Sequence, residues 1–195
     1  MFDLEKIQAA VAPAEVVYAH KTGSLIYATN PHDEDYVVVV DGWDKEYQFL
    51  TIDGADYFIH NRDLFLRKCR IEAGSMLDIY AIGQTLGETV YGEIALPRYD
   101  FMAYIVEAVR AVLFYGEKSY FNPLVVVRNG ETGERCCSKA MAWAYMVYYA
   151  ALNGAPTYTA EQKAVMQQCH DYQLPYANAA ILQGDLQRIL GELTK

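Results

Sequence analysis

Four consecutive valines, Val37 to Val40, constrain the fold of this 195-residue chain more than any other feature. Side chains alternate between the two faces of a strand, so an unbroken apolar run of strand length is typical of a strand buried on both faces. The β-branched valines also favour strand over helix. The run therefore predicts a strand from Asp35 to Val40 inside a sheet.

The flanking sequence predicts the rest of a small mixed sheet. Asp53-Gly54 separates two strand-like segments and is a strong hairpin signal. The strand that begins at Asp56 is therefore expected to return beside the valine strand. The predicted elements are helix 3–12, strand 15–20, strand 35–40, strand 47–52, strand 56–60 and a helix from 61 to about 73.

Apolar residues recur at helical spacing through the second half of the chain. Thr159 and Gln162 form the signature of a capping box at the start of one of these helices. The predicted class is α+β, with a small mixed β-sheet core over residues 1–97 and a helical lobe over 98–195. The helices are expected at 101–116, 136–152, 159–172 and from about 175.

The net charge of −9 lies entirely in the first half, where sixteen acidic residues face seven basic ones. Nine acidic and nine basic residues balance in the second half. An acidic half without a basic stripe argues against binding to a phosphate backbone, so DNA is not an expected partner and charge alone disfavours RNA. The alternative is that the surplus only keeps the domain in solution.

The longest apolar stretch, residues 140–152, falls short of the ~20 residues that a membrane-spanning helix needs. The first residues lack the basic-then-apolar layout of a signal peptide. We therefore expect a soluble, cytoplasmic protein without a membrane partner. The four cysteines show no Cys-x-x-Cys spacing, and reduced core thiols are the better interpretation.

Asp33 and Asp35 stand at the mouth of the valine strand with Glu34 between them. Residues two apart on a strand share a face, so the two aspartate carboxylates can converge while Glu34 points away. Asp56 can add a third carboxylate from the neighbouring strand. Crowded carboxylates repel, and Mg²⁺ relieves that repulsion while keeping coordination positions for phosphate oxygens. The alternative is that Asp33 is only a turn residue and that Asp35 only caps the end of the strand.

Other residues in this region could bind phosphate. Gly23 lets the backbone approach closely, and Ser24 can donate to the same group at the start of a helical turn. Lys21 could add positive charge. After the fourth strand, Arg62 is the best basic candidate because it shares the inner face of the predicted helix with Phe65. The alternative for the basic residues of this helix is a solvated face that pairs with the acidic surface.

Taken in order, these residues resemble the DNA polymerase β-like nucleotidyltransferase superfamily over residues 15–72. The shared pattern is Gly-Ser, an aromatic residue three positions later, Asp-x-Asp leading into a buried strand, and an aspartate on a neighbouring strand. More narrowly, the chain looks like predicted bacterial and phage nucleotidyltransferases of the RNA-repair-associated type, whose signature is Gly-Ser-x-x-Tyr-Gly…Ser-Asp-x-Asp. Two positions depart from it, with Ala28 in place of Gly and His32 in place of Ser. Neither removes a metal ligand, and both bear on substrate geometry.

The resemblance implies that Gly23 and Ser24 hold a triphosphate, that Asp33 and Asp35 bind metal, and that Asp56 helps to activate an acceptor hydroxyl. The implied reaction moves a nucleoside monophosphate from a nucleoside triphosphate such as ATP, with two Mg²⁺ ions, to an RNA end, a protein or a small molecule. The alternative is a catalytically inert module of the same fold that binds a nucleotide or docks on a partner. A phosphohydrolase is a weaker third possibility.

Overall fold

A computed structural model describes residues 2–29, 31, 33–69, 89–95, 101–115, 133–171 and 178–195. The chain divides into two compact units, 1–99 and 100–195, whereas the sequence placed the boundary after residue 97. The elements of the first unit are α1 (Leu4–Val11), β1 (Glu15–Thr22), a 3₁₀ turn (Gly23–Ile26), β2 (Glu34–Asp41), β3 (Tyr47–Ile52), β4 (Ala55–Asn61), α2 (Arg62–Lys68) and β5 (Thr89–Gly92).

The five strands form one mixed sheet in the order β3-β4-β2-β1-β5. The pair β2–β4 is parallel, and the other three pairs of neighbours are antiparallel. With the helices of the second unit, this arrangement confirms the predicted α+β class. The predicted return of the fourth strand beside the second is also confirmed, because β3 hairpins back along the outer edge of β4.

Strand β2 is the centre of the first unit, and the side chains of Val37 to Val40 are all fully buried. On one face, Val38 and Val40 pack with Ile7 and Val11 of α1. On the other face, Val37 and Val39 belong to a cluster with Phe65 of α2. Helices thus cover both faces of the strand, which is why an uninterrupted valine run suits this position.

The turn between β3 and β4 sets the register of the hairpin. Asp53 and Gly54 are its two central residues, with φ of 51° and 81°, and Ile52 pairs with Ala55 across it. Positive φ at both positions is the mark of the type I′ turn that the Asp-Gly pair predicted. Lys6 of α1 forms an ion pair with Asp53, which links the first helix to the turn.

The second unit consists of helices among the residues that the structure describes. The predicted capping box is confirmed, because Gln162 N donates to Thr159 Oγ1 and Thr159 N donates to Gln162 Oε1. Residues 70–73 of the helix predicted from 61 to about 73, and residue 172 of the helix predicted over 159–172, lie outside the described residues. The helices are α3 (Phe101–Tyr115), α4 (Gly133–Asn153), α5 (Ala160–His170) and α6 (Asn178–Leu193).

Apolar side chains fill the interior of this second unit. Met141, Val147 and Met166 are fully buried or nearly so, as is Cys169, where burial raises the pKa of the thiol to about 12. The predicted core position is therefore confirmed at Cys169, and Cys69 is likewise buried in the first unit. Across the described ranges, the helices are too short or too polar to cross a bilayer.

Gly54 tests the importance of the hairpin turn. Gly54→Ala is expected to lower the free energy of unfolding by about 1–2 kcal/mol, because an L side chain disfavours the left-handed region. Urea unfolding followed through Trp43 in a Trp143→Phe background reports on the first unit. Asp53→Asn is the control, since it removes an exposed ion pair and keeps a residue tolerant of positive φ, and it is expected to cost under about 0.5 kcal/mol. Equal losses in the two variants would contradict this account of the turn.

Candidate metal and nucleotide site

Three aspartates, Asp33, Asp35 and Asp56, form what we call the three-aspartate site. One carboxylate oxygen from each lies within 4.8 Å of the other two. Asp33 is exposed, and Asp35 and Asp56 are half-buried. The structure therefore brings together the three carboxylates that the sequence singled out.

The sheet register explains the convergence. Asp35 and Asp56 are direct neighbours in the parallel pair β2–β4, near the beginning of each strand. Neighbours in register point to the same face, and Asp33 joins them from just before β2 because it precedes Asp35 by two positions. The buried strand that follows Asp35 holds that residue in position, and the Asp-Gly turn sets the position of Asp56 in the hairpin.

Gly23 lies against Asp35 on the side toward β1. Thr22, the last residue of β1, pairs with Asp35 across the sheet, and the chain then turns at Gly23 with φ of 60°. A Cβ at this position would come within 2.3 Å of Asp35 Oδ2. Glycine is therefore required twice here, once for the backbone angle and once for the close approach of the carboxylate.

Ser24 follows Gly23 in the 3₁₀ turn, and only 8% of its side chain is exposed. Its carbonyl oxygen accepts from the backbone amide of Ala28 at 2.7 Å, so Ala28 helps to close the turn. Within the described part of the chain, the Ser24 hydroxyl has no hydrogen-bond partner. A buried polar group without a partner costs roughly 1–3 kcal/mol, which a ligand oxygen would offset after a change of side-chain rotamer.

Sequence reasoning missed Thr51. Its hydroxyl donates to Asp56 Oδ1 at 2.6 Å across the β3–β4 hairpin. The two-residue turn already contained the signal, because a hairpin centred on Asp53-Gly54 places the residue two before the turn opposite the residue two after it. Counting outward from the turn would have paired Thr51 with Asp56.

The structure does not bring Lys21 or Arg62 to the three-aspartate site. Lys21 pairs with Tyr36, the neighbour of Asp35, so strand alternation assigns it to the opposite face of the sheet. Arg62 follows the far end of β4 and forms an ion pair with Asp41 at 2.8 Å. Asp41 lies six residue steps along the strand from Asp35, which is about 20 Å. Lys21 was predicted because it lies two residues before Gly23, and Arg62 because it shares a helix face with Phe65. Neither criterion determines the distance to the carboxylates.

The chemistry of the three-aspartate site suits a hard divalent cation. All three donors are carboxylate oxygens, and their mutual repulsion is relieved when a cation lies between them. His32, which departs from the family signature, lies outside the described residues. No protein-family model matches the chain, and a search of the curated proteins found no relative. The geometry of the three-aspartate site is therefore the basis for a proposal about the class of protein.

Gly23→Ala is expected to weaken Mn²⁺ binding at least 10-fold, because its methyl group would displace the Asp35 carboxylate. The matched control is Gly42→Ala. Gly42 also has a positive φ, of 69°, but a Cβ there meets nothing within 4 Å. Both variants should lose about 1 kcal/mol of stability from backbone strain, and only the first should lose metal affinity. Electron paramagnetic resonance titration with Mn²⁺ measures the difference, and equal affinities would contradict the assigned contact.

Proposed function

We propose that this protein is a Mg²⁺-dependent nucleotidyltransferase of the DNA polymerase β-like superfamily. One observation carries the proposal: three carboxylates converge within 4.8 Å on one face of a mixed sheet, directly beside a Gly-Ser turn. Carboxylates that hold metal and a glycine-containing turn that can accept phosphate are the two components such a transfer needs. Here they lie on adjacent strands.

In this proposal Asp33, Asp35 and Asp56 hold two Mg²⁺ ions, which neutralise charge on the triphosphate when bound. Gly23 and Ser24 lie on the β1 side of the three-aspartate site and would receive the phosphates of the nucleotide. The buried Ser24 hydroxyl, without a partner among the described residues, has a donor available for a phosphate oxygen. Asp56 lies on the β4 side, so the acceptor hydroxyl would enter from the opposite direction.

The acceptor oxygen forms a bond to the α-phosphorus as the bond from that phosphorus to the bridging oxygen breaks. Pyrophosphate leaves with the bonding electron pair, and the proton of the acceptor hydroxyl passes to the Asp56 carboxylate. Most of the rate enhancement comes from holding the two oxygens in line, since little other covalent chemistry is required. The acceptor is an RNA end, a protein side chain or a small molecule, and the acidic first half disfavours a polyanion.

The direct test compares wild type with an Asp33→Asn, Asp35→Asn double variant in the presence of Mg²⁺ and α-labelled nucleoside triphosphates. Wild type should transfer label or release pyrophosphate, and the double variant should be at least about 100-fold slower because the metal ligands are lost. Asp44→Asn is the matched control, since it removes an exposed carboxylate outside the site.

Equal rates in wild type and the double variant would contradict the proposed enzyme. Tight binding of nucleotide to wild type without turnover would instead identify the inert binding module. Fluorescence anisotropy with a labelled ATP analogue makes that distinction, because it reports binding whether or not chemistry follows.

A further inference from the structure

We propose that Thr51 is a positioning residue that leaves Asp56 only one oxygen for metal, and that this restriction makes the site prefer Mg²⁺ to Ca²⁺. The inference rests on the proposed function, because it concerns the metal ions of the same site. It goes further by assigning a role to a residue outside the metal ligands and by stating which cation the site rejects.

The contact between Thr51 and Asp56 is close and well defined. Thr51 Oγ1 donates to Asp56 Oδ1 at 2.6 Å, the short distance expected when a hydroxyl donates to a carboxylate. The two residues are also direct neighbours in the antiparallel pair β3–β4. The hairpin therefore holds donor and acceptor together before any ligand arrives.

This hydrogen bond gives the two oxygens of the Asp56 carboxylate different roles. Oδ1 accepts from Thr51, which lies on the β3 side, and we therefore assign Oδ2 to a cation held with the other two carboxylates. An ion that bound both oxygens at once would compete with the Thr51 hydroxyl for Oδ1. Thr51 therefore favours coordination through a single oxygen.

Coordination through single oxygens discriminates between the two common cations. Mg²⁺ requires near-octahedral geometry at 2.0–2.1 Å, whereas Ca²⁺ takes 6–8 oxygens at longer distances and readily uses both oxygens of a carboxylate. If only one oxygen of Asp56 is available, Ca²⁺ loses one of its ligands, whereas Mg²⁺ keeps all of its ligands. Thr51 thus contributes selectivity as well as orientation.

Thr51 has no evident part in the core that would explain its hydroxyl. The residue is exposed on β3, the edge strand of the sheet, and it does not belong to either apolar cluster of the first unit. Valine has nearly the same shape and a strong preference for strands, so Thr51→Val removes the hydroxyl and leaves the hairpin. Thr51→Ser keeps a hydroxyl at the same position.

The experiment titrates the full chain with Mn²⁺ under electron paramagnetic resonance and then displaces Mn²⁺ with Mg²⁺ or Ca²⁺. In Thr51→Val, affinity for Mn²⁺ and Mg²⁺ should fall roughly 10-fold, as losses of supporting hydrogen bonds at metal sites do. Affinity for Ca²⁺ should stay within 2-fold, because access to the second Asp56 oxygen offsets the loss of the supporting hydrogen bond, so the preference for Mg²⁺ should fall by about 10-fold. Thr51→Ser should restore it.

Thr194→Val is the matched control, because it removes a threonine hydroxyl that donates to Leu190 O in the second unit. It should leave both affinities unchanged. An unchanged ratio of Mg²⁺ to Ca²⁺ affinity in Thr51→Val, or a Thr51→Ser variant as impaired as Thr51→Val, overturns the role of Thr51.

The same titration separates this inference from the proposed function. If the Asp33→Asn, Asp35→Asn double variant binds Mn²⁺ as wild type does, the metal site and the role of Thr51 are both overturned. If the double variant loses Mn²⁺ and Thr51→Val keeps wild-type affinity and selectivity, the metal site stands and only the role of Thr51 is overturned.

Discussion

The parallel pairing of β2 with β4 is the interaction on which the rest of the first unit depends. Its backbone hydrogen bonds fix Asp35 beside Asp56 and continue through a strand whose four valines are fully buried. Two carboxylates at such a separation repel each other, and burial of one valine side chain contributes about 1.5–3 kcal/mol. The apolar centre of the sheet therefore holds together a charged edge that would not assemble alone.

That arrangement places the two ends of the sheet in different roles. Where β2 and β4 begin, three carboxylates converge beside a glycine with positive φ, and a serine with a buried hydroxyl follows that glycine. Where the strands end, Asp41 and Arg62 form an ordinary ion pair. The buried Ser24 hydroxyl at the first end has no hydrogen-bond partner among the described residues and would gain one from a ligand, whereas the pair at the second end is already matched. The contrast supports a ligand site at the first end.

The sequence predicted the elements with strong local signals and failed where only the third dimension decides. The valine run, the Asp-Gly turn and the Thr159 capping box each require one backbone geometry, and all three appear in the structure. Lys21 was predicted from its nearness to Gly23 and Arg62 from its helix face, and neither criterion says which face or which end of the sheet a residue occupies. The pairing of Thr51 with Asp56 could have been counted outward from the Asp-Gly turn, but the hydrogen bond between their side chains appears only in the folded hairpin.

The two connections on either side of β3 differ sharply in how much change they can absorb. The loop at residues 42–46 joins β2 to β3 at the end remote from the carboxylates, so extra residues there leave Asp35 and Asp56 in register. One residue added within the hairpin between Thr51 and Asp56 would shift their pairing and turn one side chain to the other face. The remote loop is therefore the natural place to insert a fluorescent reporter or a second domain, and the hairpin is a segment whose length must be conserved by any engineered variant.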